Sequence, residues 1–135
     1  LEDGARRHGA EDKVKLLGRI SDEDLRLAYQ AADVFILPTR ALECFGLIIL
    51  EALACGLPVI GTSVGAIPEN LGPILPEWLV PGDDPAALRR TVEDVLAGRL
   101  PSPPESELVD YVHRRFGESQ IVDRYEQLFA SAIGQ

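Results

Sequence analysis

Glu43 and Glu51 stand eight positions apart and bracket the run Cys44-Phe45-Gly46-Leu47-Ile48-Ile49-Leu50. Ionised carboxylates only accept hydrogen bonds, which suits them to the vicinal hydroxyls of a sugar or a ribose. A helix that begins between Phe45 and Ile48 leaves its first N–H groups unpaired at the positive end of its dipole, and that is an anion site. Gly46 would let a diphosphate or a sugar hydroxyl come close to the main chain. Glu51, four residues after Leu47, lies one turn further along a similar helical face, within reach of ribose hydroxyls. Glu43, on the loop before the helix, is placed for hydroxyls of the sugar. The spacing alone is common to many helices that carry solvated glutamates, so its meaning depends on the elements around it.

Those elements alternate. Asp33-Val34-Phe35-Ile36-Leu37-Pro38 is a short apolar run ended by proline, and Gly56-Leu57-Pro58-Val59-Ile60-Gly61 reads as a buried strand after a helix stop. The two carboxylates therefore fall within a strand, loop, helix, strand unit. In open α/β sheets ligands bind at the C-terminal ends of the strands. Upstream, Val14-Lys15-Leu16-Leu17 carries a strand signal ended by Gly18. Ser21 then offers an N-cap, with Asp22, Glu23 and Asp24 in the first turn of a helix running to about Ala32, whose Leu25, Ala28, Tyr29 and Ala32 share one face. The site helix is expected from about Phe45 to Ala54.

Downstream, Thr62 to Asn70 forms a second loop at the strand ends, with Pro68 just inside a short helix. Trp78-Leu79-Val80 reads as another strand. Asp84-Pro85 starts a helix with Leu88, Val92, Val95 and Leu96 as its buried stripe, and Gly98 stops it. Residues 101–104 are a Pro-rich linker within one domain rather than a boundary, followed by helices near 105–116 and 118–133. About four strands alternating with helices give an α/β fold, a Rossmann-like parallel sheet with helices on both faces, and half of a doubly wound architecture.

The chain of 135 residues fits one domain, residues 1–135. Its net charge of -9 repels phosphate backbones, and Arg89-Arg90 and Arg114-Arg115 are interleaved with acidic residues on helical faces, so nucleic-acid binding is not expected. Cys44 and Cys55 match neither a disulfide framework nor a zinc pattern, and both are expected to be buried in a protein of the reducing cytoplasm. His8 and His113 are read as ordinary surface or packing residues.

The ordered set Val14-Lys15-Leu16-Leu17-Gly18, Ala32-Asp33-Val34-Phe35, Pro38-Thr39, Glu43 with Phe45-Gly46-Leu47, Leu50-Glu51-Ala52, Gly56-Leu57-Pro58-Val59-Ile60 and Val64-Gly65-Ala66-Ile67-Pro68-Glu69 resembles the C-terminal, donor-binding half of GT-B glycosyltransferases. The resemblance is to the large retaining family (glycosyl transferases group 1, family 4-like) that includes sucrose synthases and bacterial mannosyltransferases, and it runs from Val14 to about Val95. It implies that Glu43 and Glu51 are the two members of an E-x7-E motif, the first a catalytic-site residue contacting the donor sugar and the second holding the ribose. It further implies that Phe45 and Gly46 offer amides to the sugar, Leu47 and Ile48 offer amides to the diphosphate, and Gly18, Arg19 and Ile20 read the base. No metal or other cofactor is implied; a nucleoside diphosphate sugar is the donor substrate.

The chain departs from the family pattern at Cys44, where glycine is usual, and at Gly65-Ala66, where a second glycine is common. Its N-terminus lacks both an initiator methionine and a secretory signal and reads as the interior of a longer parent. The family's donor-clamping arginine and lysine and its acceptor-binding N-terminal domain, the expected partner, would lie upstream. The chain alone is therefore expected to be inactive. The last helix, with Ile121, Val122, Tyr125, Leu128 and Phe129, is expected to be partly uncovered and open to self-association. The parent is expected in the cytoplasm, with peripheral attachment at the inner face of the membrane left open. Two alternatives stand beside this reading: a non-catalytic nucleotide-sugar-binding module, and a GT-B-fold sugar-nucleotide epimerase. A phosphorylase of the same fold, which would need a lysine to anchor pyridoxal phosphate, is disfavoured, because the chain's lysines are Lys13 and Lys15 alone.

Overall fold

The computed structural model describes residues 2–133. Three short strands, β1 (Phe35–Leu37), β2 (Val59–Thr62) and β3 (Leu79–Val80), form one parallel sheet in the order β1-β2-β3. Ile36 lies opposite Ile60, and Thr62 opposite Val80. Seven α-helices surround it among the described residues: α1 (Glu2–Arg7), α2 (Asp22–Ala31), α3 (Leu47–Ala54), α4 (Ile67–Leu71), α5 (Pro85–Leu96), α6 (Glu105–Phe116) and α7 (Glu118–Ile133). Leu1 lies outside the described residues.

Parallel neighbours need crossovers, and α3 joins β1 to β2 while α4 leads from β2 towards β3. All four residues of β2 are buried, so both faces of the central strand are covered. Gly61 has no side chain because α4 sits directly on it: a Cβ there would lie 2.8 Å from Ile67 Cγ2 and 3.0 Å from Leu71 Cδ2. Ile49, Leu53, Val59, Ile60, Ile67 and Leu71 are fully buried between α3, α4 and the sheet. Each such side chain contributes roughly 1.5–3 kcal/mol by leaving water.

The C-terminal helices join this core unequally. Leu108 of α6 is fully buried in it, and the Trp78 indole N–H donates to Pro101 O at 3.2 Å, tying residues 101–104 to the core. By contrast α7 packs on α6 and leaves Val122, Tyr125, Leu128, Phe129 and Ile133 exposed. Arg89 pairs with Glu93 and Arg114 with Asp110 on exposed faces. No described helix is long and apolar enough to cross a membrane.

Several sequence expectations need correction. Val14–Leu17 is not a strand, which leaves three strands rather than four: β1 pairs on one side only, with β2, and residues 14–17 enter no ladder. Without a neighbouring strand they stay outside the sheet, with Val14, Leu16 and Leu17 all exposed. Trp78 belongs to a 3-10 turn (Pro76–Trp78), where its N–H returns to Leu75 O and is unavailable to a sheet. The chain turns back at Gly98 so that Leu100, not Leu96, packs on the core. Ala32 likewise is exposed, at the cap of α2 rather than on its buried face.

Candidate functional site

The three strands deliver their following loops to one end of the sheet, and short contacts bind those loops together. The Thr62 hydroxyl, 3% exposed, donates to Thr39 O at 2.6 Å. Gly65 has φ of +55°, and a Cβ there would fall 1.9 Å from the Glu43 carbonyl oxygen. Only glycine lets the second loop lie so close to the first. Gly82, after β3, would drive a Cβ to 2.6 Å from Val64 Cγ2. Leu42, with φ of 64°, holds a left-handed conformation that costs a non-glycine residue about 1–2 kcal/mol.

Within this frame the Glu43 carboxylate is half-buried and turned onto its own loop, where Oε1 accepts the Gly46 N–H at 2.9 Å. Gly46 is left-handed (φ 75°, ψ 44°) and caps α3. That conformation is why the helix begins at Leu47 and not at Phe45 as expected. Gly46 thus serves first as the conformational stop of the helix. Among the described residues the N–H groups of Leu47 and Ile48 have no partner, leaving two donors at the helix start.

Glu51, one turn on, is exposed, and its Oε2 accepts the Tyr29 hydroxyl at 3.3 Å. Burial, with the Glu51 carboxylate beside it, pushes the Tyr29 phenol up to about 12. Tyr29 is itself fixed edge-on against Phe35, with ring centroids 5.7 Å apart. The result is a groove of about 350 Å³ between α2 and α3, lined by Asp22, Leu25, Arg26, Tyr29, Glu51 and Cys55. Gly18 (φ 64°) and Arg19 are exposed and Ile20 is half-buried, just before the Ser21 cap of α2.

The structure therefore brings Glu43 and residues 45–48 together and places Glu51 further along the same helix. Gly18, Arg19 and Ile20 stand before the start of α2, at the other end of that helix from Tyr29, and among the described residues no hydrogen bond joins them to Glu43 or residues 45–48. Cys44, expected to be buried, is exposed at the loop, and Cys55 is half-buried in the groove. Both histidines are exposed. Among the described residues no three His, Cys, Asp or Glu side chains converge on a point that could hold a metal ion. A hollow of about 540 Å³ bounded by Cys55-Gly56-Leu57-Pro58 and Ser102-Pro103 lies at the N-terminal ends of the strands, away from the loops described above.

Sequence reasoning missed Asn70. Its side-chain amide donates to the Phe45 carbonyl, and it is 3% exposed. The available signal was a polar residue on the inward side of α4, between Ile67 and Leu71. Tyr29 was read only as part of an apolar face, although a hydroxyl at a buried position needs an acceptor.

A parallel sheet joined by crossover helices, with Glu43 and the start of α3 at the C-terminal ends of its strands, defines a domain of the α/β class. The model of the family described as Glycosyl transferases group 1 matches residues 1–98, and the chain belongs to that family. A D-inositol 3-phosphate glycosyltransferase of Mycolicibacterium vanbaalenii is 40% identical over 89 residues, 66% of this chain and 20% of that protein. A second D-inositol 3-phosphate glycosyltransferase, from Geodermatophilus obscurus, is 38% identical over 99 residues, 73% of this chain and 22% of that one. Among solved structures, a sucrose-phosphate synthase from Thermosynechococcus elongatus, a GT-B protein, superposes with a TM-score of 0.79 at 32% identity. That match covers 96% of this chain and 34% of the synthase chain. The chain thus spans about one fifth of the length of the curated relatives it matches.

Proposed function

We propose that this chain forms the nucleotide-sugar side of a retaining glycosyltransferase, which moves a sugar from a nucleoside diphosphate to an acceptor. One observation carries the reading: a single loop and helix present Glu43, the free amides of Leu47 and Ile48, and Glu51 in the order in which sugar, diphosphate and ribose follow one another in such a donor. In this assignment Glu43 and the Phe45-Gly46 backbone meet the sugar. Leu47 and Ile48 donate to the diphosphate at the positive end of α3, Glu51 accepts the ribose hydroxyls, and Gly18, Arg19 and Ile20 border the base. No metal is required in this scheme.

Departure of a nucleoside diphosphate needs cations held where its charge develops. Arg40, the basic residue of the 38–46 loop, lines a separate hollow with Asp83 and Asp84. The chain on its own is therefore expected to bind donors without transferring their sugar. The partner that completes the reaction is an acceptor-binding domain of the parent, whose location is proposed as cytoplasmic, with any membrane contact made through that partner. Calorimetric titration with UDP, GDP, ADP and their sugar conjugates tests the assignment. Selective binding that weakens about tenfold or more in Glu51→Ala supports it; binding unchanged in Glu51→Ala overturns the ribose assignment.

A further inference from the structure

The peptide unit between Phe45 and Gly46 is gripped at both of its polar ends. Its N–H donates to Glu43 Oε1 at 2.9 Å, and its carbonyl accepts the Asn70 side-chain amide. The two grips differ in kind. Glu43 comes from the same loop, is only half-buried, and in the reading above is the group that must turn to a sugar. Asn70 comes from α4, is 3% exposed, and has no such second task.

Asn70 is itself held from behind. The Tyr111 hydroxyl of α6 donates to the Asn70 main-chain carbonyl at 2.7 Å, and Phe116 packs edge-on against both Phe45 and Tyr111 with ring centroids 6.1 Å apart in each pair. The orientation of the Asn70 amide is unambiguous, because the Phe45 carbonyl can only accept. Glycine at position 46 gives this peptide unit a wide choice of conformations, so something other than local sterics must fix its plane.

We propose that Asn70 is a positioning residue for the donor site: by holding the Phe45 carbonyl from the protein side, it keeps the Gly46 N–H in the direction in which Glu43 Oε1 now accepts it when that carboxylate leaves for the donor sugar. The Glu43 carboxylate then acts as a placeholder on that amide in the unliganded chain. Binding a nucleotide sugar exchanges one acceptor for another, with no rebuilding of the loop. The proposal rests on the nucleotide-sugar reading, and it extends the site to a residue 25 positions downstream of Phe45. It also gives α6 a task at the site although its chain lies beyond the residues matched to the family.

The test compares the wild-type chain with Asn70→Leu, which keeps the size and removes the donor, and with Tyr111→Phe, which removes only the hydroxyl behind Asn70. UDP-glucose and GDP-mannose are titrated against each, alongside UDP and GDP, and the Gly46 amide is followed by 15N NMR. Asn70→Leu is expected to weaken the bound sugar nucleotide about tenfold while changing the parent nucleotide less than about twofold, with Tyr111→Phe showing the same preference at about two- to threefold. The Gly46 amide resonance should move in both variants without ligand. Equal loss for nucleotide and sugar nucleotide would mean general damage and overturn the positioning role, as would unchanged affinities. If Asn70→Leu does not fold, Tyr111→Phe decides by the same ratio. A wild-type chain that binds none of these four probes and neither ADP nor ADP-glucose overturns the functional reading itself.

Discussion

The two parts of the proposed donor site are built to different standards. Around Glu43 to Glu51, backbone and side chains are held by partners from three helices: the buried Tyr29 on α2 and Asn70 on α4 and, through Asn70, the half-buried Tyr111 on α6. At Gly18 to Ile20 no comparable grip exists among the described residues, and the preceding Val14, Leu16 and Leu17 lie exposed outside the sheet. The lesson is that a sequence motif marks where a ligand group would go, while its rigidity is supplied by residues elsewhere in the chain. A base contacted at Gly18 to Ile20 would have to order that segment on arrival. The sugar and diphosphate would meet a frame already set.

Breaking the held part should have the largest consequence. Trp78→Ala removes a buried ring and its bond to Pro101 O, and is expected to cost about 3–5 kcal/mol in chemical denaturation, enough to threaten a small domain. Gly65→Ala comes next. Backbone strain of about 1–3 kcal/mol adds to a collision with the Glu43 carbonyl, so a lower melting temperature should accompany displaced NMR resonances for residues 43–46.

Tyr29→Phe is expected to cost about 1 kcal/mol through the bond to Glu51. It also has a pH signature. The phenol is raised to about 12 in the folded chain against about 10 unfolded, so its neutral form favours folding below pH 10, and that contribution is lost as pH rises from about 10 to 12. Wild type should lose more stability than Tyr29→Phe across that window; parallel pH curves would remove Tyr29 from the account. Leu17→Ser, on the loose side, should change stability by less than about 0.5 kcal/mol. A large loss there would show that the 14–20 segment is held after all.

Much of this contrast follows from what periodicity can and cannot register. The strand and helix pattern from Ser21 to Ile133 was legible because capping residues, glycine stops and apolar spacing agree. The two C-terminal helices fall at 105–116 and 118–133 as the sequence suggests. Val14–Leu17 failed because an apolar run records only a capacity to pair, and pairing needs a neighbouring strand. Glu43, Phe45–Ile48 and Glu51 were visible through their spacing. Their supports were not, since Asn70, Tyr111 and Gly65 act across 22 to 41 residues of sequence, and one polar residue in a short helix carries no mark of the carbonyl it will meet. Cys44 is exposed on a loop tied at Thr39, Glu43 and Gly46, contacts that its own residue type does not announce.

Mapping amide shifts in a 15N-labelled sample of the chain, on adding the nucleotide sugar it binds best, tests the central claim most directly. The account predicts that the resonances of Phe45, Gly46, Leu47 and Ile48 move first and furthest, and that those of Gly18, Arg19 and Ile20 follow from a broadened, mobile start. Shifts confined to Gly56, Leu57 and Ser102, around the hollow at the opposite end of the strands, would contradict it.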